Sequence, residues 1–128
     1  LRENNVPMYI RLDDAGEGVK RAIITILLLE TISPKLVLWD DFGSTEHPSL
    51  LKKEIQWLSK KDWQVVLATH SIDVLYELLD SDIEDLNILL LNKKADDTTV
   101  FKSLSIDELN GLMNGNSDPR LLVEALGV

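Results

Sequence analysis

The chain has 128 residues, 45% hydrophobic and 27% charged, which suits one soluble globular domain with a core and excludes a disordered or fibrous class. It contains no cysteine, which excludes disulfides and thiolate metal centres and fits a reducing, cytoplasmic setting. A formal charge of −9, relieved only by short basic pairs such as Lys20-Arg21 and Lys60-Lys61, argues against direct contact with a nucleic-acid backbone, and the longest apolar run, 22-AIITILLLE-30, is too short to cross a membrane.

In chain order, 6-VPMYIRL-12 reads as a short strand or extended lead-in, and 13-DDAGEG-18 as an acidic, Gly-rich turn. From Val19 to Ile32 the apolar positions Val19, Ala22, Ile23, Ile26 and Leu27 recur at helical spacing, and Ser33-Pro34 stops the helix. Leu36–Trp39 is a short buried strand that ends on Asp40-Asp41. Residues 47–61 predict an amphipathic helix, with Pro48 near its first turn and Leu50, Leu51, Ile55 and Leu58 on one side. Val65–Ala68 is a second buried strand, followed by Thr69-His70-Ser71 and a helix over 72–80. Residues 86–92 and 98–104 read as a hairpin with 93-KKADD-97 as its turn. Ser105, with Glu108 three residues on, has the pattern of a capping box for another helix, and 119–128 could add one more.

Short apolar strands alternating with helices predict an α/β fold: three layers, a mainly parallel sheet covered by helices, with a C-terminal hairpin and short helices, all in a single domain over 1–128. Ligands of such sheets bind at the carboxyl ends of the strands. Asp40-Asp41 and Thr69-His70-Ser71 both fall there, so neighbouring strands would bring two acids and an imidazole to one crevice. Taken alone, Asp40-Asp41 is either a solvated turn that caps the next helix or the acid pair of a Walker B site. In the latter, the first acid holds Mg2+ through water and the second orients the water that attacks a γ-phosphate. His70 is either a surface residue or a contact to a phosphate oxygen or an ordered water. Residues 13–23 are either a loop and helix start or a place where glycines admit a ligand to unpaired helix N–H groups.

Taken as an ordered set, these segments resemble the C-terminal half of an ABC-type ATPase head, nearest to the AAA/OLD-like branch, which is related to the SMC-type and DNA-repair ATPases. On that resemblance 13-DDAGEGVKR-21 matches the signature motif, 36-LVLWDD-41 Walker B, 43-GSTEHPSLL-51 the D-loop region and 69-THS-71 the switch-histidine loop. The resemblance spans about residues 8–80. It implies ATP and Mg2+ as ligands, Asp40 toward the metal, Asp41 and His70 as catalytic residues, and Ala15, Gly16 and Gly18 facing nucleotide held by a second subunit. The implied assembly is a homodimer with ATP sandwiched between its heads. Three departures stand out. Asp41 replaces the usual Glu, Ala15 stands where the signature serine would align, and no G-x-x-x-x-G-K-[ST] phosphate loop occurs in the chain. Together with the start on Leu1 rather than Met, this leads us to expect the C-terminal lobe of a longer or split ATPase. Its partner would be its own Walker A half, through which alone nucleic acid would be reached; no membrane partner is expected, and the lobe by itself would be inactive. Two alternatives remain open: a degenerate, non-catalytic dimerisation lobe, and a phosphoacceptor receiver domain using Asp40-Asp41, Thr69 and Lys93.

Overall fold

The computed structural model describes residues 2–3, 6–7, 9–81, 83 and 85–115. The chain divides into two compact units, Leu1–Glu77 and Leu78–Val128. The helix expected over 119–128 lies outside the described residues.

The first unit opens with two short strands, β1 (Arg2–Glu3) and β2 (Val6–Pro7), paired antiparallel. A single 3-10 turn over Leu12–Asp14 leads into α1 (Glu17–Ile32). That helix ends as the sequence requires. Ser33 turns into the left-handed region (φ 48°) and donates its N–H to the Leu29 carbonyl at 2.8 Å, and Pro34 cannot continue the ladder. The buried position on α1 is Ala22, whose small side chain permits close approach, while Val19, Ile23, Ile24, Leu27, Leu28 and Ile32 remain exposed.

Strands β3 (Leu36–Trp39) and β4 (Gln64–Leu67) pair in parallel, with Val37 opposite Val65 and Trp39 opposite Leu67. Side chains alternate across the pair. Val37 is buried and Trp39, Val65 and Leu67 half-buried on one face; Leu36, Leu38 and Val66 stand exposed on the other, Leu38 at 72%. Between the strands runs α2 (Pro48–Leu58), capped by His47, whose Nδ1 accepts the Ser49 N–H at 3.3 Å, with Pro48 at the first helical position where its missing N–H costs nothing. Its inward stripe is Leu51, Glu54, Ile55 and Leu58, spaced i, i+3, i+4, i+7. Leu50, expected on that stripe, is only half-buried, and Glu54 occupies the fourth place. The carboxyl end of α1 is tied to this region by Glu30, which accepts from Trp57 Nε1 at 2.8 Å and from Lys61 Nζ. The Lys61 ammonium lies 5.3 and 5.4 Å from the Trp57 and Trp63 ring centroids. Lys61, and after it Trp57, hold the Glu30 carboxyl below its ordinary range. α3 (Ile72–Leu79) completes the unit and runs across its boundary, with Val74 fully buried.

In the second unit, β5 (Ile88–Lys93) and β6 (Thr99–Leu104) form an antiparallel hairpin with Leu91 opposite Phe101. Asp97 takes the left-handed conformation in its turn (φ 64°), and Lys94 donates its N–H to the Thr98 carbonyl at 2.8 Å. α4 (Ile106–Asn114) begins with the expected capping box: Ser105 Oγ accepts the Glu108 N–H at 3.2 Å, and the Ser105 N–H reaches Glu108 Oε2 at 2.8 Å. The architecture is thus the α/β one read from the sequence, with a parallel pair, helices and a C-terminal hairpin.

Candidate functional site

The site is built where β3 and β4 end. The ladder continues past the strands through two backbone bonds, the Ala68 N–H to the Trp39 carbonyl (2.8 Å) and the Phe42 N–H to the Ala68 carbonyl (3.0 Å). Asp40 and Asp41 lie between these two ties. Asp41 turns into the left-handed region (φ 56°), which Asp tolerates better than most residues, and its N–H is satisfied by Asp40 Oδ1 at 2.9 Å. Gly43 follows with φ 77°. A Cβ there would come within 2.5 Å of Val74 Cγ2 and 3.3 Å of Leu51 Cδ1, so both its torsion and its surroundings demand glycine. Phe42, 1% exposed, anchors the turn in the core and meets the Trp39 ring edge-on with centroids 5.0 Å apart.

The β4 end is locked to the same turn. Thr69 Oγ1 donates to the Phe42 carbonyl at 2.7 Å and accepts the Ser71 N–H at 3.0 Å. This double contact fixes the residue between them, His70. Its Nδ1 lies 3.4 Å from Asp41 Oδ1, at the long end of a hydrogen bond and within ion-pair range when the imidazole is protonated. Asp41 and His70 therefore share one solvent-facing edge at the carboxyl end of the parallel pair. His47 is instead spent on capping α2.

Ala15, Gly16 and Gly18 sit at the start of α1. Ala15 closes the 3-10 turn with its N–H on the Leu12 carbonyl (3.2 Å), and Gly16 is the helix N-cap. Gly16 has no side chain to accept the first-turn N–H groups, which suits an external acceptor. Gly18 is needed for packing: a Cβ would lie 2.8 Å from the Thr45 carbonyl oxygen, so the first turn of α1 rests directly on the segment that leads from Asp41 to α2.

Among the described residues no group of three or more His, Asp or Glu side chains could cage a metal ion. The chemistry of the donor set nevertheless fits Mg2+, which keeps most of its waters and takes one or two carboxylates; Asp40 is such a carboxylate, held at a strand end by its bond to the Asp41 N–H. Lys93 lies on β5, in the second unit, and Thr69 in the first. Sequence reasoning named Thr69 within its strand-end triplet but not as the clamp on the Phe42 carbonyl, and it passed over Phe42 and Glu54. Thr69 and Phe42 had a signal, a hydroxyl and an aromatic directly after strand ends; Glu54 had only its place on the i, i+3, i+4, i+7 stripe.

No protein-family model matches the sequence, and no curated protein matches it. Four solved chains match its structure. One of them, from work on the structural biochemistry of ATP-driven dimerization and DNA stimulated activation of SMC ATPases, superposes with a TM-score of 0.63 at 14% identity. The match covers 83% of this chain and 64% of that one. This similarity shows a shared α/β fold, and the present chain spans under two thirds of that structure's length. No helix among the described residues is long and apolar enough to cross a membrane.

Proposed function

We propose that residues 1–128 are the C-terminal lobe, a single domain, of a cytoplasmic ATP-binding and ATP-hydrolysing ATPase of the ABC type, AAA/OLD-like, whose phosphate loop lies in a separate N-terminal half. The observation that carries this reading is the juxtaposition of Asp41 and His70, 3.4 Å apart, at the carboxyl ends of two adjacent parallel strands. Such strand ends are where open α/β sheets bind ligands.

In this reading Asp40 would hold Mg2+, which would neutralise phosphate charge on ATP, the substrate. Asp41 accepts a hydrogen bond from the attacking water and fixes its direction. Its side chain is one methylene shorter than the Glu common in such sites, and it lies 3.4 Å from His70 Nδ1. His70 donates toward the γ-phosphate oxygens, where charge grows during transfer. Gly16 and Gly18, beside Ala15, present the first-turn N–H groups of α1 to nucleotide held by a second copy, so two heads close around ATP as a homodimer. Nucleic acid would be contacted only through the other half.

A non-catalytic dimerisation lobe is the second reading, favoured by Asp41 in place of Glu and by Ala15 in place of the signature serine. Two measurements test the proposal. The purified 128-residue chain should show no Mg2+-dependent ATP turnover, since it has no phosphate cradle; turnover abolished by Asp40→Ala would overturn the half-site reading. In the longer protein, Asp40→Ala should weaken Mg2+-nucleotide binding, whereas His70→Ala should cut turnover more than affinity. Two silent changes would leave the non-catalytic reading.

A further inference from the structure

Past Trp39 the parallel ladder carries one residue too many. Trp39 pairs with Leu67, so the next partners in register are Asp40 and Ala68. Ala68 donates its N–H to the Trp39 carbonyl at 2.8 Å, as a regular parallel ladder requires. Such a ladder would then return the Ala68 carbonyl to the Asp41 N–H. That carbonyl instead accepts the Phe42 N–H, at 3.0 Å. Asp40 and Asp41 together therefore oppose Ala68 alone, which is a bulge. The displaced Asp41 N–H is satisfied by Asp40 Oδ1 at 2.9 Å, and Asp41 takes φ 56°. Bulges re-aim side chains, and this one directs Asp41 Oδ1 to within 3.4 Å of His70 Nδ1.

A bulge disrupts its ladder, so the chain must be held where pairing resumes. Successive residues of a strand turn their backbone groups to opposite edges, so after Ala68 the next bond toward β3 falls to a side chain. Thr69 supplies it. Its Oγ1 donates to the Phe42 carbonyl at 2.7 Å and accepts the Ser71 N–H at 3.0 Å. Phe42, fully buried, is thus held at its N–H by Ala68 and at its carbonyl by Thr69. The same hydroxyl spans His70 by bonding the residue on its far side.

We propose that Thr69 is a positioning residue of this site: one hydroxyl locks both the bulge that aims Asp41 and the loop that carries His70, and so sets the distance between them. The hydroxyl is spent on these two bonds, so Thr69 acts through Asp41 and His70 and not on a substrate. Valine has the same branched shape without the hydroxyl. It would leave the Phe42 carbonyl and the Ser71 N–H without this partner, and each half of the pair would lose its tie to the other. Serine keeps the hydroxyl and the lock. The consequence for turnover rests on the nucleotide reading above; the lock itself does not.

The test is nuclear magnetic resonance of the 128-residue chain at one fixed pH. The chain has two histidines, and His47 caps α2, so the ring signals of His70 can be told apart. Asp41→Asn is made in the unmodified chain, together with Thr69→Val, and together with Thr69→Ser. The expected result is that Asp41→Asn shifts the His70 ring signals in the unmodified and Thr69→Ser chains, and that this shift collapses in Thr69→Val. The His47 signals should stay in place throughout. A His70 shift of equal size in Thr69→Val, or none in the unmodified chain, overturns the lock. Should Thr69→Val not fold, hydrogen exchange of the unmodified chain decides: the Phe42 and Ser71 amides should exchange more slowly than their intrinsic rates, and an unprotected Ser71 amide overturns the lock. In the longer protein, Thr69→Val should lower ATP turnover on the order of 10²-fold, as a misplacement of about 1 Å does, and Thr69→Ser should recover most of it. Unchanged turnover beside a collapsed His70 shift keeps the lock and overturns the nucleotide reading instead.

Discussion

Gly43→Ala probes the turn that aims the acid pair. Gly43 adopts φ 77°, and an alanine Cβ would lie 2.5 Å from Val74 Cγ2 and 3.3 Å from Leu51 Cδ1, both on fully buried side chains. Two costs add. The left-handed torsion costs an L residue about 1–2 kcal/mol, and forcing a methyl into a packed core costs about 1–3 kcal/mol. The sum is a loss of about 2–5 kcal/mol, read from urea unfolding followed by tryptophan fluorescence, since Trp39, Trp57 and Trp63 all belong to the first unit. Gly111→Ala is the matched control. It lies inside α4 with open space where its Cβ would go, and it should instead stabilise by about 0.4–1 kcal/mol, measured by helical circular dichroism. A loss below about 1 kcal/mol for Gly43→Ala would mean that the turn relaxes freely and does not hold Asp40-Asp41 in place.

Phe42→Ala should cost about 3–5 kcal/mol in the same urea assay, because it removes a fully buried ring and its edge contact with Trp39; a cost near that of an exposed residue would refute Phe42 as the anchor. Ser105→Ala should lose about 1 kcal/mol by deleting the acceptor of the Glu108 N–H, and Ser105→Asp should keep most of it, as thermal unfolding would report. For Glu54, a carboxyl that ionises near 4.5 in the unfolded chain and at about 7 in the folded one makes the folded state the better proton binder between those values. Stability should therefore decline by about 3 kcal/mol as pH rises from 4.5 to 7, relative to Glu54→Gln; a difference between the two chains that grows in the opposite direction contradicts the assignment.

What was legible in the sequence is what is encoded locally. An apolar run closed by two acids, Pro48 after His47, and Ser105 three residues before Glu108 each carry their structure within a few residues; the spans of β3 and α2 and the α4 cap emerged nearly as read, but β3, read as buried, exposes Leu36 and Leu38. The meeting of Asp41 with His70 could also be foreseen, because parallel pairing of two short apolar strands puts their carboxyl ends side by side. Features that depend on distant partners were hidden. The left-handed torsion of Asp41 answers to the two ladder bonds around it, and the need for glycine at position 18 arises from Thr45, far along the chain. Glu54 went unremarked because a side chain's letter shows its charge and not its burial, and it holds a place on an otherwise apolar stripe. On α1 the periodicity identified the helix, but which side is covered depends on what small Ala22 lets approach.

The central claim is that the ends of β3 and β4 form one nucleotide-hydrolysing crevice. The most direct test is steady-state Mg2+-ATP hydrolysis by the longer protein carrying Asp41→Asn, with nucleotide affinity measured on the same sample. The account expects turnover to fall on the order of 10²-fold or more while affinity is kept, because the change removes the group that directs the water and spares those that hold the substrate. Unchanged turnover in Asp41→Asn would contradict it.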